Sequence, residues 1–235
     1  MITAISKPEL IAIGSRYRAD YLAEQAGYTM GIADAEGAAL TVLLPKGYLP
    51  EVKAAGEQVT NAMKDKALLQ AETKDATRSQ NDALRRAKIW RRKASRRALR
   101  ARRMGEKIPD GLIRISQARN VPAIAGQLEA MTKLLESVLK KMPGTDTAKL
   151  LAEGKAIATV LKTADAEQEV KRLQALPNAV KEFYRLKGIL YVGLKVINDA
   201  GLELYADDPA KAGKFNLSIL YRKAAARKPK AEAAK

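Results

Sequence analysis

The chain has 235 residues, 47% of them hydrophobic but only 5% aromatic, and its 43 Lys and Arg outnumber 26 Asp and Glu to give a formal net charge of +17. This excess predicts a polyanionic partner, either nucleic acid (DNA or RNA) or an acidic protein surface. The absence of Cys and His excludes disulfides and removes the commonest general base and metal ligands. Because no phosphate-binding glycine motif or metal-ligand cluster occurs either, we expect a non-enzymatic protein without metal or cofactor.

Residues 1–48 are predicted to form an N-terminal helical segment. The sequence Ser6-Lys7-Pro8-Glu9 is typical of a capping box with an early proline, so a helix should begin there. Gly27 and Gly31 should weaken that helix, and a second helical piece is expected over residues 32–44. The first ten residues lack the features of a secretory signal, and no apolar run approaches the roughly 20 residues of a membrane span, so we expect a cytoplasmic protein.

Residues 49–105 favour helix almost throughout, and we predict a first helical hairpin there. A cluster of Thr, Asp, Ser and Asn over residues 73–81 suggests a turn between its two helices, with one long bent helix as the alternative. Residues 106–143 should contain a loop followed by a connecting helix that Asn120 caps.

Residues 144–221 are predicted to form a second hairpin, with one helix to about residue 176 and another from Pro177 to about residue 205. The apolar face of the last helix repeats close to every 3.5 residues, as in helical bundles. Residues 215–221 are the only segment that could be extended. The basic tail, residues 222–235, has nothing to bury and is expected to be disordered.

The whole pattern predicts an all-α protein, an antiparallel helical bundle with a disordered basic C-terminal tail. A shift of 102 residues aligns Leu49 with Leu151 and Glu51 with Glu153. We therefore consider that the two hairpins arose by duplication, with chance similarity between alanine-rich helices as the alternative.

Most of the charge excess lies in two regions, with a net +10 in residues 49–105 and +5 in residues 206–235. Residues 85–103 contain no acid and eleven basic residues: Arg85, Arg86, Lys88, Arg91, Arg92, Lys93, Arg96, Arg97, Arg100, Arg102 and Arg103. At 100° per residue they cover roughly 240° of the helix and leave a narrow stripe. The stripe consists of Ala83, Ala87, Trp90, Ala94, Ala98 and Ala101, and we expect it to dock on the bundle, with Trp90 in the core rather than stacked on a base.

The leading functional hypothesis is that this basic helix and the tail hold the backbone of a nucleic acid without strong sequence preference. Arg91, Arg92, Arg96 and Arg97 are the preferred contacts. The main alternative is a structural or scaffold protein that self-associates or packs in a larger assembly with an acidic partner. Pairing of the cations inside the fold also remains open, and so does binding to a membrane surface, although an alanine stripe inserts poorly.

Overall fold

A computed structural model describes residues 5–115, 118 and 120–222, and the regular elements among them are all helical. The all-α prediction is therefore confirmed. The tail beyond Arg222, with its predicted disorder, lies outside the described residues. The α-helices are α1 (Lys7–Arg16), α2 (Ala19–Ala35), α3 (Gly37–Leu43), α4 (Tyr48–Arg103), α5 (Asp110–Ile113), α6 (Val121–Ser137), α7 (Thr147–Val170), α8 (Leu176–Leu204) and α9 (Pro209–Ala212).

Several predicted boundaries are confirmed. Ser6 and Glu9 form the capping box of α1, in which the Ser6 amide donates to the Glu9 carboxylate over 3.1 Å. The Asn120 side chain accepts a hydrogen bond of 2.9 Å from the Ala123 amide at the start of α6. In the N-terminal segment, however, the predicted helix breaks at Tyr17 and Arg18, between α1 and α2, and not at Gly27 and Gly31, which lie inside α2. Helix α2 ends at Ala35, and α3 begins after Glu36.

The turn predicted over residues 73–81 is wrong, because α4 is one continuous helix of 56 residues. The Thr73 and Thr77 hydroxyls donate to the carbonyls four residues before them, over 2.7 and 2.9 Å. These bonds satisfy polar groups that would otherwise favour a turn. Residues 49–105 consequently form no hairpin.

The second long helical run is also nearly uninterrupted. Between α7 and α8, the predicted break is replaced by a single stretch of π-helix, Lys171–Ala175, just before Pro177. Proline has no amide hydrogen to donate, and a local widening of the helix accommodates that missing bond without ending the helix.

The chain divides into two compact units. Unit 1 comprises Met1–Ala67 and Asn178–Lys235, and unit 2 comprises Leu68–Pro177. The predicted segments 49–105 and 144–221 each contribute to both units. The two long runs pair with each other rather than folding back on themselves. The 102-residue repeat stays a prediction.

Unit 1 holds α1 to α3, the first part of α4, α8 and the C-terminal segment around a core that includes Leu22, Leu40 and Leu190. Helices α1 and α8 approach closely at Gly14 and Gly188. A Cβ atom on Gly14 would lie 1.9 Å from the Tyr184 carbonyl oxygen, and one on Gly188 would lie 2.1 Å from that of Leu10.

The segment that the sequence left as a possible strand, residues 215–221, is a short irregular stretch followed by a 3-10 helix, Ser218–Tyr221. Gln25, fully buried on α2, determines its position. The Gln25 side chain donates to the Asn216 carbonyl over 2.9 Å and accepts from the Ile219 amide over 3.2 Å. A buried amide thus replaces the sheet partner that a strand would have needed.

Unit 2 is built on the second part of α4, packed against α6 and α7, with α5 alongside. The pairing of α4 with α7 is antiparallel. Trp90 contacts Leu150 near the start of α7, whereas Glu72, earlier in α4, forms an ion pair of 3.4 Å with Lys171 just after its end. The strongly basic segment of α4 therefore lies in this unit.

Candidate nucleic-acid interface

The alanine and tryptophan stripe anchors the basic segment to unit 2, as predicted. All six residues, Ala83, Ala87, Trp90, Ala94, Ala98 and Ala101, are buried in the core of this unit. Small side chains allow α4 to approach its neighbours closely, so the stripe is covered although it is narrow.

Trp90 is a core residue, and that prediction is confirmed. Its side chain has no exposed surface, and its indole N–H donates to the Leu150 carbonyl over 2.7 Å. Gly154 on α7 makes room for the ring, since a Cβ atom there would lie 2.3 Å from Trp90 Cζ2 and 2.8 Å from Thr132 Cγ2. The ring is therefore enclosed on several sides.

The structure divides the four preferred contacts into two groups. Arg92 and Arg96 are exposed, whereas Arg91 is only 4% exposed and the Arg97 side chain only 16% exposed. The prediction that Arg91 presents its charge to a partner is wrong. Arg91 lies roughly 60° from the centre of the stripe, near enough to be covered by the bundle. Burial lowers the pKa of its guanidinium.

One flank of the basic helix is covered by the chain that follows it. The Ser95 hydroxyl donates to the Ile113 carbonyl over 2.7 Å, and Arg102 donates to the Ile108 carbonyl over 2.8 Å. Arg102 also forms an ion pair with Asp110, which holds the pKa of that carboxyl below its usual value. This flank therefore offers little free charge.

Two further cations of the segment are paired. Arg97 holds Asp146, at the start of α7, through two contacts of 2.9 Å, and this pairing lowers the pKa of the Asp146 carboxyl. Arg85 lies 3.4 Å from Asp82 one turn earlier on α4. Internal pairing thus accounts for part of the predicted set.

Seven predicted cations remain exposed and have no ion pair with any of the described residues. We call them the basic face: Arg86, Lys88, Arg92, Lys93, Arg96, Arg100 and Arg103. The contrast with α7 is clear, because exposed Lys155 pairs with Glu136 over 2.7 Å and Lys162 pairs with Glu129.

The basic face has a simple geometry. Arg92, Arg96 and Arg103 point away from the buried stripe, each within about 20° of the direction opposite to it. Residues 86, 93 and 100 form a second row at seven-residue spacing, about 10.5 Å apart along the axis, on the flank not covered by α5. The whole segment of residues 85–103 is roughly 27 Å long.

Beside the second row lies a groove between α4 and the first turns of α7, with a volume of about 510 Å³. Lys149 of α7 contributes to it, although the sequence had not assigned this lysine to the site. Only the packing of α7 on α4 places Lys149 there, since it lies 49 residues beyond Arg100 in the chain. The groove is lined by Lys93, Arg96, Arg97, Arg100, Asp146, Lys149, Leu150 and Glu153.

The charge excess is concentrated in unit 2. Residues 68–177 contain 24 Lys and Arg against 12 Asp and Glu, a net +12, whereas the remaining residues have 19 against 14, a net +5. Sequence counting by predicted hairpins could not show this division.

A second lysine that the sequence had not singled out lies inside unit 1. Lys187 is 3% exposed, donates to the Tyr17 carbonyl, and has its ammonium 5.4 Å from the centre of the Phe183 ring. Burial, with a smaller effect from nearby Lys66, lowers the pKa of Lys187 to about 8. Lys187 lines none of the three cavities described for the part of the chain that the structure covers.

No family model, curated protein or solved structure matches this chain. Over the described residues, no helix is long and apolar enough to cross a membrane. The same part of the chain holds no group of three or more acidic side chains arranged to bind a metal. The basic face is thus the candidate site that geometry and charge define.

Proposed function

We propose that this protein is a non-enzymatic helical module that binds the phosphate backbone of nucleic acid through the basic face. The observation that carries the proposal is the set of seven exposed cations without an ion-pair partner among the described residues. The tail, with six basic residues after position 221, is proposed as a second contact.

The chemistry of these side chains supports phosphate as the ligand. Five of the seven residues are Arg, whose planar guanidinium offers paired N–H donors that match phosphate oxygens. Contacts to phosphate supply affinity and fix position but carry no base identity. We therefore propose binding to DNA or RNA without strong sequence preference.

The energetic cost of the basic face also supports an external partner. Lys88, Arg92, Arg96 and Arg100 follow one another at four-residue intervals, and like charges at this spacing destabilise a helix by roughly 0.2–0.5 kcal/mol per pair. A merely solvated helix has no need of this arrangement. The paired lysines of α7 show that the same unit can intersperse acids elsewhere.

The scaffold alternative needs an apolar surface for association. The two candidates in the sequence are the alanine stripe and the apolar seam of α8. Both are buried within the chain itself, since Ala94 and Leu190, for example, have no exposed surface. Packing against an acidic protein remains the competing explanation for the basic face.

The direct test is purification with and without nuclease and high salt, followed by the 260/280 nm absorbance ratio. Bound nucleic acid should raise the ratio, and nuclease with high salt should lower it to the value of the protein alone. A protein-like ratio in every preparation, together with no binding of a labelled 30-base-pair duplex at 50 mM salt, would refute the proposal. Light scattering on the nucleic-acid-free protein tests self-association separately.

A further inference from the structure

The unit that carries the basic face has no accessible aromatic ring. Trp90 is the only Trp, Tyr or Phe among residues 68–177. It is fully buried, its N–H is bonded to the Leu150 carbonyl, and Gly154 lies against its ring. The strongly exposed rings in the described chain, Tyr28 and Tyr221, belong to unit 1.

This absence bears on the form of nucleic acid that the face can hold. Proteins that bind single strands combine a basic groove with aromatic platforms on which unpaired bases stack, and each stacked base contributes about 1–3 kcal/mol. Unit 2 offers exposed cations but no exposed aromatic ring. It can therefore gain little from unpaired bases.

A duplex suits such a face better. Its bases are already stacked on each other, and its phosphates lie on the outside at about one per 1.7 Å of axis. The roughly 27 Å length of the basic segment would then span about 16 phosphates, or about 8 base pairs. Seven cations can be matched by phosphates on one side of that length.

We infer that the ligand of the basic face is duplex nucleic acid, held from outside with its base pairs intact, over a footprint of about 8 base pairs. The inference rests on the proposed function and narrows it to one class of polymer. It assigns the affinity to phosphates and none of it to unpaired bases.

The test compares a labelled 20-base-pair DNA duplex with a labelled 20-nucleotide oligothymidylate by fluorescence anisotropy over 50–300 mM salt. The seven phosphate contacts of the basic face should contribute about −6 to the slope of log K against log salt for the duplex and about −5 for the single strand, and contacts of the tail add to both slopes. If the two lines of log K against log salt meet at 1 M salt, the duplex should bind roughly tenfold more tightly than the single strand at 0.15 M salt. Hairpin duplexes of 4, 8 and 12 base pairs should gain affinity steeply up to 8 and little beyond.

Trp90 supplies a second readout, since it is the only Trp in the chain. Its emission should stay unchanged at saturating duplex, and strong quenching by either polymer would show that bases reach the ring. Equal or tighter binding of the single strand would overturn the inference while leaving the proposed function intact. Failure of both polymers to bind would instead overturn the proposed function.

Discussion

Neutralising two residues of the basic face should weaken nucleic-acid binding by an amount that the structure fixes. Arg92 and Arg96 point away from the core and have no ion pair with any residue that the structure describes. The double variant R92Q/R96Q removes two of seven phosphate contacts. The contribution of the basic face to the slope of log K against log salt should therefore change from about −6.3 to about −4.5.

The same arithmetic gives the loss of affinity at one salt concentration. If the lines of the variant and the unaltered protein meet at 1 M salt, a slope difference of about 1.8 makes the variant bind roughly 30-fold more weakly at 0.15 M salt. Anisotropy titrations of a 20-base-pair duplex at five salt concentrations measure both quantities. Circular dichroism and urea unfolding check that the variant stays folded, which the exposure of both side chains leads us to expect.

The matched control is K155Q/K162Q, which removes the same number of charges from the same unit. These lysines already pair with Glu136 and Glu129. Their removal should leave the slope at the value of the unaltered protein. If both double variants reduce the slope equally, net charge rather than the basic face governs binding, and the reasoning fails.

Three predictions concern the cores. The pKa of Lys187 is about 8 in the folded state and near 10.5 in the unfolded chain, so between these pH values the unfolded chain holds one more proton than the folded protein. The free energy of unfolding should therefore rise by about 3 kcal/mol as the pH increases across this range. Urea unfolding at pH 7 and 10.5 should show the rise, and K187M should abolish it. The variant G154A forces a methyl against Trp90 and should destabilise unit 2 by about 1–3 kcal/mol or more, and an unaltered urea midpoint would contradict this packing. The variant Q25L leaves the Ile219 amide without its hydrogen-bond acceptor and should lower the free energy of unfolding by about 1–3 kcal/mol for each buried group left unbonded. The amide of residue 219 should then exchange its hydrogen faster, and unchanged exchange would count against the role of Gln25.

Much of the basic helix could be predicted from its periodicity. A helix repeats every 3.6 residues, so the alanines and the tryptophan that recur every three or four residues from Ala83 to Ala101 share one face, and that stripe is buried. Whether each individual cation is exposed or buried could not be derived from the periodicity. Arg91 and Arg92 are adjacent and chemically identical, yet one is buried and the other exposed, because residues 108–113 and α7 cover some flanks of α4 and leave others open.

The sequence by itself determined the all-α class, the helix caps at Ser6 and Asn120, and the burial of Trp90, because these depend on side chains a few residues apart. Only the tertiary structure decided that α4 continues through residues 73–81, that the two long helical runs pair within two units, and which cations of the basic segment remain unpaired. These outcomes depend on contacts between residues far apart in the chain. Arg97 forms an ion pair with Asp146, which lies 49 positions later in the chain, and no local sequence pattern predicts this contact.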